Sequence, residues 1–561
     1  MKPWYERDPD RLEPERKFWL KQGFTESRPN RCLCFTGNIV VSYGAPDRKP
    51  MRETFKVKVS YPSAFPYRPP DVEFVDPRIR RSRHQSPDGK PCLFPPRAWT
   101  PFTTPHEFYR ALERWLVACR LGRFPRELAI YELPEYFIPS PLSVLVTPSG
   151  LDAMAACHGR FALTCAVGRD LAVLKSVDGR QMAQDLLDGL RLGAEVKQEQ
   201  RNGEWFHLSS EPPAIRNTTE LSQVLSRDGH RFSADRRPGQ HALVGLVFED
   251  AVLAQQRLQL LDYSSSAKAY AKPAGWSVSA PWTYMVSEEE LFRRLEGVRD
   301  TEALSDKCVV LLGAGAIGSP LATDLVRESV GRLVICDPDR LRPGNLVRHL
   351  LDLMSVGQGK AEATELAAVR INPYMDTWSE RKNLGDPEVL ANLMRADHPV
   401  HPADLVVSAI GDDGVEFMVS ELAVTEATAP VLFVRTLHDG DAVRLVLLRP
   451  GQADACLECL RRYAEDGHPD LVDVPDSELA PVFDAGCATA AQPGAGLTSR
   501  LASIFAAKRT LSLLQGEETS FNQWLWVDRA IPSASDPRLH APEQMYASHL
   551  GRHPDCPFCS V

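Results

Sequence analysis

No run of apolar residues in this 561-residue chain approaches the roughly 20 residues that a membrane-spanning helix requires. The first residues, MKPWYERDPDRLEPER, are too highly charged to contain the apolar core of a secretory signal peptide. Positive charge is also in short supply, since 65 Lys and Arg residues face 74 Asp and Glu residues and leave a formal net charge of -9. This balance argues against a broad nucleic-acid-binding surface, and the chain contains no low-complexity segment. The sequence therefore predicts a cytoplasmic globular protein that neither spans a membrane nor binds nucleic acid.

The chain is longer than one hydrophobic core usually supports, and its residue patterns divide it into three regions. Residues 1–145 combine strand-like segments such as GNIVVSYG with a dense proline region and a helical pattern from Glu107 to Leu121. Residues 146–285 show strands and polar loops without any chemical constellation, so we expect a small α/β spacer domain. Residues 286–561 alternate strands with helices, which is typical of a mostly parallel, Rossmann-like sheet. The predicted fold class is a multidomain α/β protein.

A glycine-rich turn lies between the first buried strand and the following helix of the last region. Gly313, Gly315 and Gly318 form GxGxxG, which permits a tight turn and brings phosphate close to a helix N-terminus. Asp337 ends the next strand, where an acidic side chain would bind a ribose. These residues alone fit an NAD-dependent oxidoreductase as well as any other nucleotide-binding protein.

Polar and cationic residues after the turn favour a nucleoside triphosphate over NAD. They comprise Asp337, Asp339, Asn345 and Arg348 in DPDRLRPGNLVRHL, followed by Lys360. Arg348 or Lys360 alone could be an ordinary solvated helix residue. Together, such cations stabilise the charge that develops on phosphorus and pyrophosphate when an α-phosphate is attacked. A carboxylate near Asp412, in SAIGDDG, is placed to hold Mg²⁺.

The segment from Gly313 to Pro373 resembles the adenylation domain of ubiquitin-activating enzymes and of the adenylyltransferases of thiamine and molybdopterin biosynthesis. That family has GxGxxG, DxD, NLxRQ and a lysine shortly before an Asn-Pro pair. This sequence has GAGAIG, DPD, NLVRH, Lys360 and an Asn-Pro pair. It departs from the pattern at His349, where the family usually has glutamine.

The resemblance implies ATP and Mg²⁺ as cofactors. It aligns only loosely around the acidic turn, so Asp412 is the expected magnesium ligand and Asp413 is the alternative. The family is usually dimeric, and an arginine of one subunit reaches the ATP of the other. Arg293 or Arg294 would supply that arginine here.

Two CxxC pairs stand out among the 13 cysteines, which stay reduced in a cytoplasm and are free to bind metal. CLEC and CPFC have the spacing with which each pair supplies two thiolates to one tetrahedral Zn²⁺. The four ligands would be Cys456, Cys459, Cys556 and Cys559. Four sulfur ligands leave no open position, so the expected role is structural. The resembling family has the same two pairs in the same order, and two unrelated pairs are the alternative.

Cys487 lies between the two pairs in DAGCATAAQPGAG, ahead of an apolar helix. A lone cysteine is usually a buried structural residue. The resembling family, however, often has its thioester-forming cysteine at this place, and a thiolate forms more readily near a helix N-terminus. We therefore expect Cys487 to be a catalytic nucleophile.

The segments FPYRPPDVEF and GKPCLFPPRAWTP, at residues 65–74 and 89–101, resemble ubiquitin-conjugating enzymes, an α+β family. That family has YPxxPPxVxF, His-Pro-Asn, a catalytic cysteine followed by leucine, and Trp-x-Pro. The match identifies Cys92 as the expected acceptor thiol, presented by a rigid proline-rich loop. An ordinary loop thiol is the alternative.

This region departs from the conjugating family ahead of the cysteine. His84-Gln85-Ser86 replaces His-Pro-Asn, and the spacing to Cys92 is two residues shorter than in the family. The asparagine that would polarise the thioester carbonyl is therefore missing. We expect Ser86 or a backbone donor to replace it, and His84 to support the loop.

The two resemblances imply consecutive reactions. ATP and Mg²⁺ would convert the C-terminal carboxylate of a partner polypeptide into an acyl-adenylate, and Cys487 would expel AMP to form a thioester. The acyl group would then move to Cys92 and finally to an amine of a lysine-bearing target. Exchange between thiols is nearly isoenergetic, and a thioester remains reactive toward amines.

Fusion of an activating and a conjugating module resembles proteins of bacterial anti-phage operons with cyclic-oligonucleotide signalling (CBASS). Those proteins act on the C-terminus of a nucleotide synthase related to cGAS, so the resemblance implies a cGAS-like nucleotidyltransferase as the activated partner. The resemblance to the adenylation family also implies a homodimer. The alternatives are a sulfur-carrier adenylyltransferase in which Cys487 passes on sulfur, a scaffold whose conjugating domain only binds partners, and, more remotely, a dehydrogenase.

Overall fold

The computed structural model describes most of the chain in two compact units, one within residues 1–285 and the other beginning at residue 286. The described residues are 3–44, 50–74, 76, 78–79, 84–86, 88–95, 98–124, 135, 137–166, 168–182, 197–232, 241–250, 255–264, 277–426, 428–476, 479, 482–483, 490–491 and 494–559. None of the helices in this part of the chain combines the length and the apolar character that crossing a membrane requires.

The first unit opens with an antiparallel sheet flanked by helices. Its strands are β1 (Thr25–Ser27), β2 (Cys34–Tyr43), β3 (Met51–Ser60) and β4 (Asp71–Phe74), paired in chain order. Its helices are α1 (Trp4–Arg7), α2 (Pro9–Lys21) and α3 (Pro105–Leu121). A Thr104–Glu107 capping box starts α3 and Gly122, with a φ of +65°, ends it, which confirms the helical pattern seen in the sequence. Trp19, Phe55 and Trp115 are buried in the aromatic core between sheet and helices.

The rest of the first unit contains eight further strands and two short helices among its described residues. The strands are β5 (Ile138–Val146), β6 (His158–Ala166), β7 (Leu171–Val177), β8 (Arg180–Gln181), β9 (Gln198–His207), β10 (His241–Glu249), β11 (Gln256–Ser264) and β12 (Val278–Met285). β5 pairs with β12 on one side and with β7 on the other, so seven strands close into a ring in the order β5-β12-β11-β10-β9-β6-β7. The helices are α4 (Pro148–Asp152) and α5 (Thr218–Arg227). This region contains more strands than the sequence suggested. We expected a domain to begin at residue 146, but β5 already starts at Ile138 and ends at Val146.

The second unit is built on an eight-stranded sheet. Its strands are β13 (Cys308–Leu312), β14 (Arg332–Cys336), β15 (Asp376–Glu380), β16 (Leu405–Ser408), β17 (Val431–Leu437), β18 (Ala442–Leu448), β21 (Gln523–Val527) and β22 (Gln544–Ser548). Between β18 and β21 the chain forms a separate two-stranded sheet of β19 (Val482–Phe483) and β20 (Ala490–Ala491). The order is β15-β14-β13-β16-β17-β18-β21-β22. The first five pair in parallel, as predicted, and the last three are antiparallel.

Helices cover both faces of this sheet. They are α6 (Glu288–Phe292), α7 (Thr301–Ser305), α8 (Gly318–Arg327), α9 (Lys360–Val369), α10 (Pro387–Leu393), α11 (Asp413–Thr425), α12 (Leu457–Glu465) and α13 (Gly496–Leu514). α8, α9 and α13 share one hydrophobic core, whereas α10, α11 and α12 share the other. The chain passes from β13 to β14 on one side and later returns to β16 on the other. In open α/β sheets such a switch point creates a ligand-binding crevice at the carboxyl ends of the strands.

Candidate functional site

The glycine-rich turn follows β13 at this switch point. Gly313 has a φ of +92°, and a Cβ there would lie 2.6 Å from the carbonyl oxygen of Ala409. A Cβ on Gly318 would lie 1.9 Å from the carbonyl oxygen of Gly313, so close packing requires glycine at both positions. A Cβ on Gly315 would instead meet nothing within 4 Å. The backbone at Gly315 therefore faces open space at the start of α8, which fits the approach of a phosphate.

Two side chains hold the turn at Ala314. Asp337 accepts the backbone N–H of Ala314 at 2.7 Å with Oδ2 and that of Asp339 at 2.8 Å with Oδ1. Burial raises the pKa of Asp337, and the nearby Lys360 ammonium opposes that rise. His349 lies 2.7 Å from the Ala314 carbonyl through Nε2, while its Nδ1 accepts the backbone N–H of Leu351. Because Nδ1 is an acceptor, the proton is on Nε2, which donates to Ala314.

The departure at His349 is therefore chemically conservative. A glutamine amide and a neutral imidazole both offer an N–H to a carbonyl. Burial, reinforced by the Lys360 ammonium, lowers the pKa of His349 to about 4 and keeps the ring neutral. Sequence reasoning noted the substitution but missed this contact. Because histidine and glutamine can both donate a hydrogen bond, the substitution itself was the signal that could have revealed the contact with Ala314.

The predicted residues Lys360, Asp339 and Asn345 also lie around the turn. Lys360 begins α9 and forms an ion pair of 2.7 Å with Asp339, joining two expected nucleotide ligands. The Asn345 side chain accepts the backbone N–H of Arg342 at 3.0 Å and so shapes the turn that leads toward Arg348. The side chain of Asn345 thus has a structural contact in addition to its expected role.

Arg348 lies against the start of α13. A Cβ on Gly494 would lie 3.3 Å from Nη1 of Arg348, and one on Gly496 would lie 2.6 Å from the carbonyl oxygen of Val347. α13 is the apolar helix that follows Cys487 in the sequence. Cys487 itself lies outside the described residues, and its predicted role stays a prediction.

The acidic turn after β16 borders the same crevice, because Ala409 and Ile410 contact Gly313. Asp412 caps α11 by accepting the backbone N–H of Val415 at 3.1 Å with Oδ1. Asp413 is largely exposed and forms an ion pair of 2.6 Å with Arg435. The cap uses one oxygen of Asp412 and leaves Oδ2 as the oxygen to offer a cation.

The four cysteines of the CxxC pairs come together at one point of the second unit. Cys456 lies 3.6 Å from Cys459, 3.5 Å from Cys556 and 3.6 Å from Cys559, measured between sulfur atoms. Four thiolates about 2.3 Å from a tetrahedral Zn²⁺ would lie about 3.8 Å from one another, so the donor set fits that ion. The backbone N–H of His553 also donates to the sulfur of Cys459 at 3.2 Å. Such a contact stabilises a thiolate ligand.

Cys92 lies in a hairpin-like loop of the first unit. Its backbone N–H donates to the His84 carbonyl at 2.8 Å, and Gln85 forms a bridge with Pro91. The same carbonyl accepts Nε1 of Trp115 at 3.0 Å, and the His84 ring stacks on Phe124 at 4.0 Å. This packing fits the expected structural role of His84.

The surroundings of Cys92 restrict access to it and hold its loop. Only 5% of the Cys92 surface is exposed. The Ser86 hydroxyl donates to Asp88 and accepts the backbone N–H of Lys90 at 3.0 Å. Farther along the loop, Nε1 of Trp99 donates to the Pro66 carbonyl at 2.8 Å, joining the two segments that resemble conjugating enzymes.

Residues 287–535, within the second unit, match the model of the ThiF family, and this part of the chain has a Rossmann-like fold. An uncharacterized protein of Sinorhizobium fredii, y4qC, is 24% identical over 270 residues, which cover 46% of this chain and 45% of that protein. The ATP-dependent ubiquitin transferase-like protein Cap2 of Enterobacter hormaechei is 33% identical over 147 residues, or 26% of this chain and 22% of that protein. The chain thus spans less than half the length of these relatives. A crystal structure of Escherichia coli MccB has a TM-score of 0.36 and 18% identity, covering 49% of this chain and 73% of that one.

Proposed function

We propose that this chain uses ATP and Mg²⁺ to adenylate the C-terminal carboxylate of a partner polypeptide and conjugates it to an amine through Cys487 and Cys92. The observation that carries the proposal is the convergence at one sheet edge of the open glycine turn, the Lys360–Asp339 pair, the Asp412 turn and Arg348. Arg348 in turn contacts the start of the helix that follows Cys487. The expected nucleotide residues therefore adjoin the start of the helix that Cys487 precedes in the sequence.

In the first reaction, a carboxylate oxygen of the partner attacks the α-phosphorus, and the bond from phosphorus to the pyrophosphate oxygen breaks. Lys360 and Arg348 supply positive charge where negative charge grows on the leaving group. Asp337 holds the glycine turn and would bind the ribose, while Asp339 orients Lys360. Asp412 would hold Mg²⁺, which neutralises phosphate charge when bound.

In the second reaction, the Cys487 thiolate attacks the acyl carbon and AMP leaves, which forms a thioester. The Cys92 thiolate then attacks the same carbon and releases Cys487 as a thiolate, and an amine of the target finally takes the acyl group and releases Cys92. The Ser86 hydroxyl is engaged with Asp88 and Lys90, which favours a backbone donor over Ser86 for the thioester carbonyl.

Zn²⁺ bound by Cys456, Cys459, Cys556 and Cys559 would have a structural role, since four thiolates fill its coordination sphere. We further propose a cytoplasmic homodimer with Arg293 or Arg294 reaching the ATP of the other subunit. The description of Cap2 as an ATP-dependent ubiquitin transferase-like protein supports conjugation. From the resemblance to fused proteins of anti-phage operons, we propose a cGAS-like nucleotidyltransferase as the activated partner, joined to lysine-bearing targets in anti-phage defence.

A sulfur-carrier adenylyltransferase is the second candidate, because adenylation is common to both functions. In that case Cys487 would transfer sulfur and Cys92 would have no chemical role. The hydrogen bonds that join Cys92 and Trp115 to the His84 carbonyl favour conjugation over this alternative.

The nucleotide site can be tested without the partner by titrating the full-length chain with ATP and Mg²⁺ in a calorimeter. Lys360→Ala should weaken ATP binding about 100-fold, since it removes a cation from the phosphates and releases Asp339. Lys307→Ala is the matched control, because that lysine pairs with Asp404 at the opposite ends of the strands. Equal affinities for the two variants would contradict the assignment of the site.

A further inference from the structure

Glu416 is a buried carboxylate that the reaction described above does not use. It lies in the first turn of α11, and its side chain has no exposed surface. Burying a carboxylate is costly unless other groups satisfy it. The groups that contact Glu416 therefore indicate which part of the structure it stabilises.

The two oxygens of Glu416 join three parts of the sheet edge. Oε1 lies 3.3 Å from the backbone nitrogen of Gly411, in the acidic turn, and 3.4 Å from the Ser408 hydroxyl at the end of β16. Oε2 accepts Nε of Arg435 on β17. One side chain thus links the last residue of β16, the turn that follows it and the neighbouring strand.

Arg435 extends this link to the residue beside Asp412. Its Nη1 lies 2.6 Å from Asp413 while its Nε donates to Glu416. Burial raises the pKa of Glu416, and the Arg435 guanidinium opposes that rise. The arginine thus supports a charged Glu416.

The segment that Glu416 holds determines where Asp412 lies. Gly411 has a φ of +75°, a conformation that most residues avoid, so the turn has a specific shape to maintain. On its N-terminal side, Ala409 and Ile410 contact Gly313 of the nucleotide turn. Glu416 fixes Gly411 between these contacts and Asp412.

We propose that Glu416 is a positioning residue for Mg²⁺, which keeps the turn of Asp412 in the geometry that receives the cation accompanying ATP. The inference rests on the proposed function, because it requires ATP and Mg²⁺ at this crevice. In the sequence, Glu416 is one helical turn after Asp412, a signal too common to be recognised without the contacts of Arg435 and Gly411.

The test compares ATP binding to the full-length chain in EDTA and over a series of Mg²⁺ concentrations, by calorimetry. Glu416→Gln keeps the size of the side chain and removes its charge. We expect the variant to bind ATP in EDTA with the affinity of the wild type. The Mg²⁺ concentration that gives half of the maximal increase in ATP affinity should rise about tenfold, which is typical when a group that orients a metal ligand is lost. Glu421→Gln, an exposed change on the same helix, should match the wild type.

Arg435→Lys provides a second variant, since an ammonium cannot contact Glu416 and Asp413 with the fork geometry of a guanidinium. It should shift the Mg²⁺ requirement in the same direction, and it decides the question if Glu416→Gln does not fold. An unchanged Mg²⁺ requirement would overturn the proposal. An equal loss of affinity in EDTA and in Mg²⁺ would also overturn it, because that result indicates a purely structural role. Failure of the wild type to bind ATP under any condition would instead contradict the proposed function of the site.

Discussion

His349 is a neutral histidine with a defined tautomer at the centre of the nucleotide turn. Its Nε2 donates to Ala314, whose N–H is bound by Asp337, so the two side chains clamp one residue from both sides. Protonation would place an N–H on Nδ1, which accepts the backbone N–H of Leu351 in the folded chain. Folding therefore favours the neutral ring.

This environment predicts a pH dependence of stability. The pKa of His349 falls from 6.5 to about 4 on folding, so the unfolded chain binds the additional proton between these values. The free energy of unfolding is unaffected by protonation of His349 above pH 6.5, where the ring is neutral in both states. As the pH falls toward 4, the free energy of unfolding decreases by at most about 3 kcal/mol, at 1.36 kcal/mol per pKa unit.

Calorimetric unfolding of the full-length chain at neutral and mildly acidic pH measures this effect in the transition that ATP stabilises. His349→Gln keeps the N–H donor and cannot titrate, so its transition should fall less on acidification than that of the wild type. Parallel falls in the two proteins would contradict a neutral His349.

Within the glycine turn, some positions are required for folding and another is open to a ligand. Gly313 and Gly318 are packed against backbone atoms, whereas Gly315 faces open space and has no positive φ. The three glycines of one motif therefore serve different purposes, and each predicts a different outcome on substitution.

We expect Gly315→Ala to fold normally and to bind ATP at least about tenfold more weakly, because its methyl group would occupy the space where phosphate approaches the backbone. Gly318→Ala should lower the thermal midpoint, since its Cβ would lie 1.9 Å from the Gly313 carbonyl oxygen. Thermal shift and calorimetric titration of both variants distinguish the two effects. Normal ATP affinity in folded Gly315→Ala would place the phosphates elsewhere.

Local patterns sufficed to predict some elements and not others. The alternation of apolar strands with helices from Cys308 onward indicated the parallel strands of the second unit, and the two CxxC pairs indicated a shared cluster. Neither pattern contains the pairing of β5 with β12 and β7, because a residue's neighbours across a sheet depend on the whole chain. The antiparallel strands β18, β21 and β22 were missed for the same reason. The contacts of Glu416 and His349 likewise depend on tertiary structure.

The Cys₄ cluster operates at the scale of the whole second unit, because it joins α12 to the C-terminal residues of the chain. Cys456 and Cys556 are separated by 100 residues, so a metal between them would close a long loop. Metal binding by such a site contributes directly to the stability of the fold.

We expect one Zn²⁺ per chain by elemental analysis of the purified protein. Cys556→Ser should reduce that content severely and lower the midpoint of the transition that ATP stabilises, because three thiolates hold the ion less well than four. Cys157→Ser, an exposed cysteine of the first unit, is the matched control and should retain the metal. Full zinc content in Cys556→Ser would contradict a four-cysteine site.

The two cysteines of the proposed relay belong to different units of the molecule. Cys92 belongs to the first unit, and Cys487 precedes α13 of the second in the sequence. In the proposed relay, an acyl group reaches Cys92 only by way of Cys487.

The most direct test replaces Cys92 with serine, because transfer to a serine hydroxyl leaves an oxyester that is more stable than a thioester. The variant is produced in the cells that naturally contain the chain, and its intact mass is measured with and without Cys487→Ala in the same chain. We predict an added polypeptide that mild base releases and that the second substitution abolishes. Absence of any adduct in the presence of ATP, the native partners and Cys487 would contradict transfer to Cys92 and favour a sulfur-carrier adenylyltransferase.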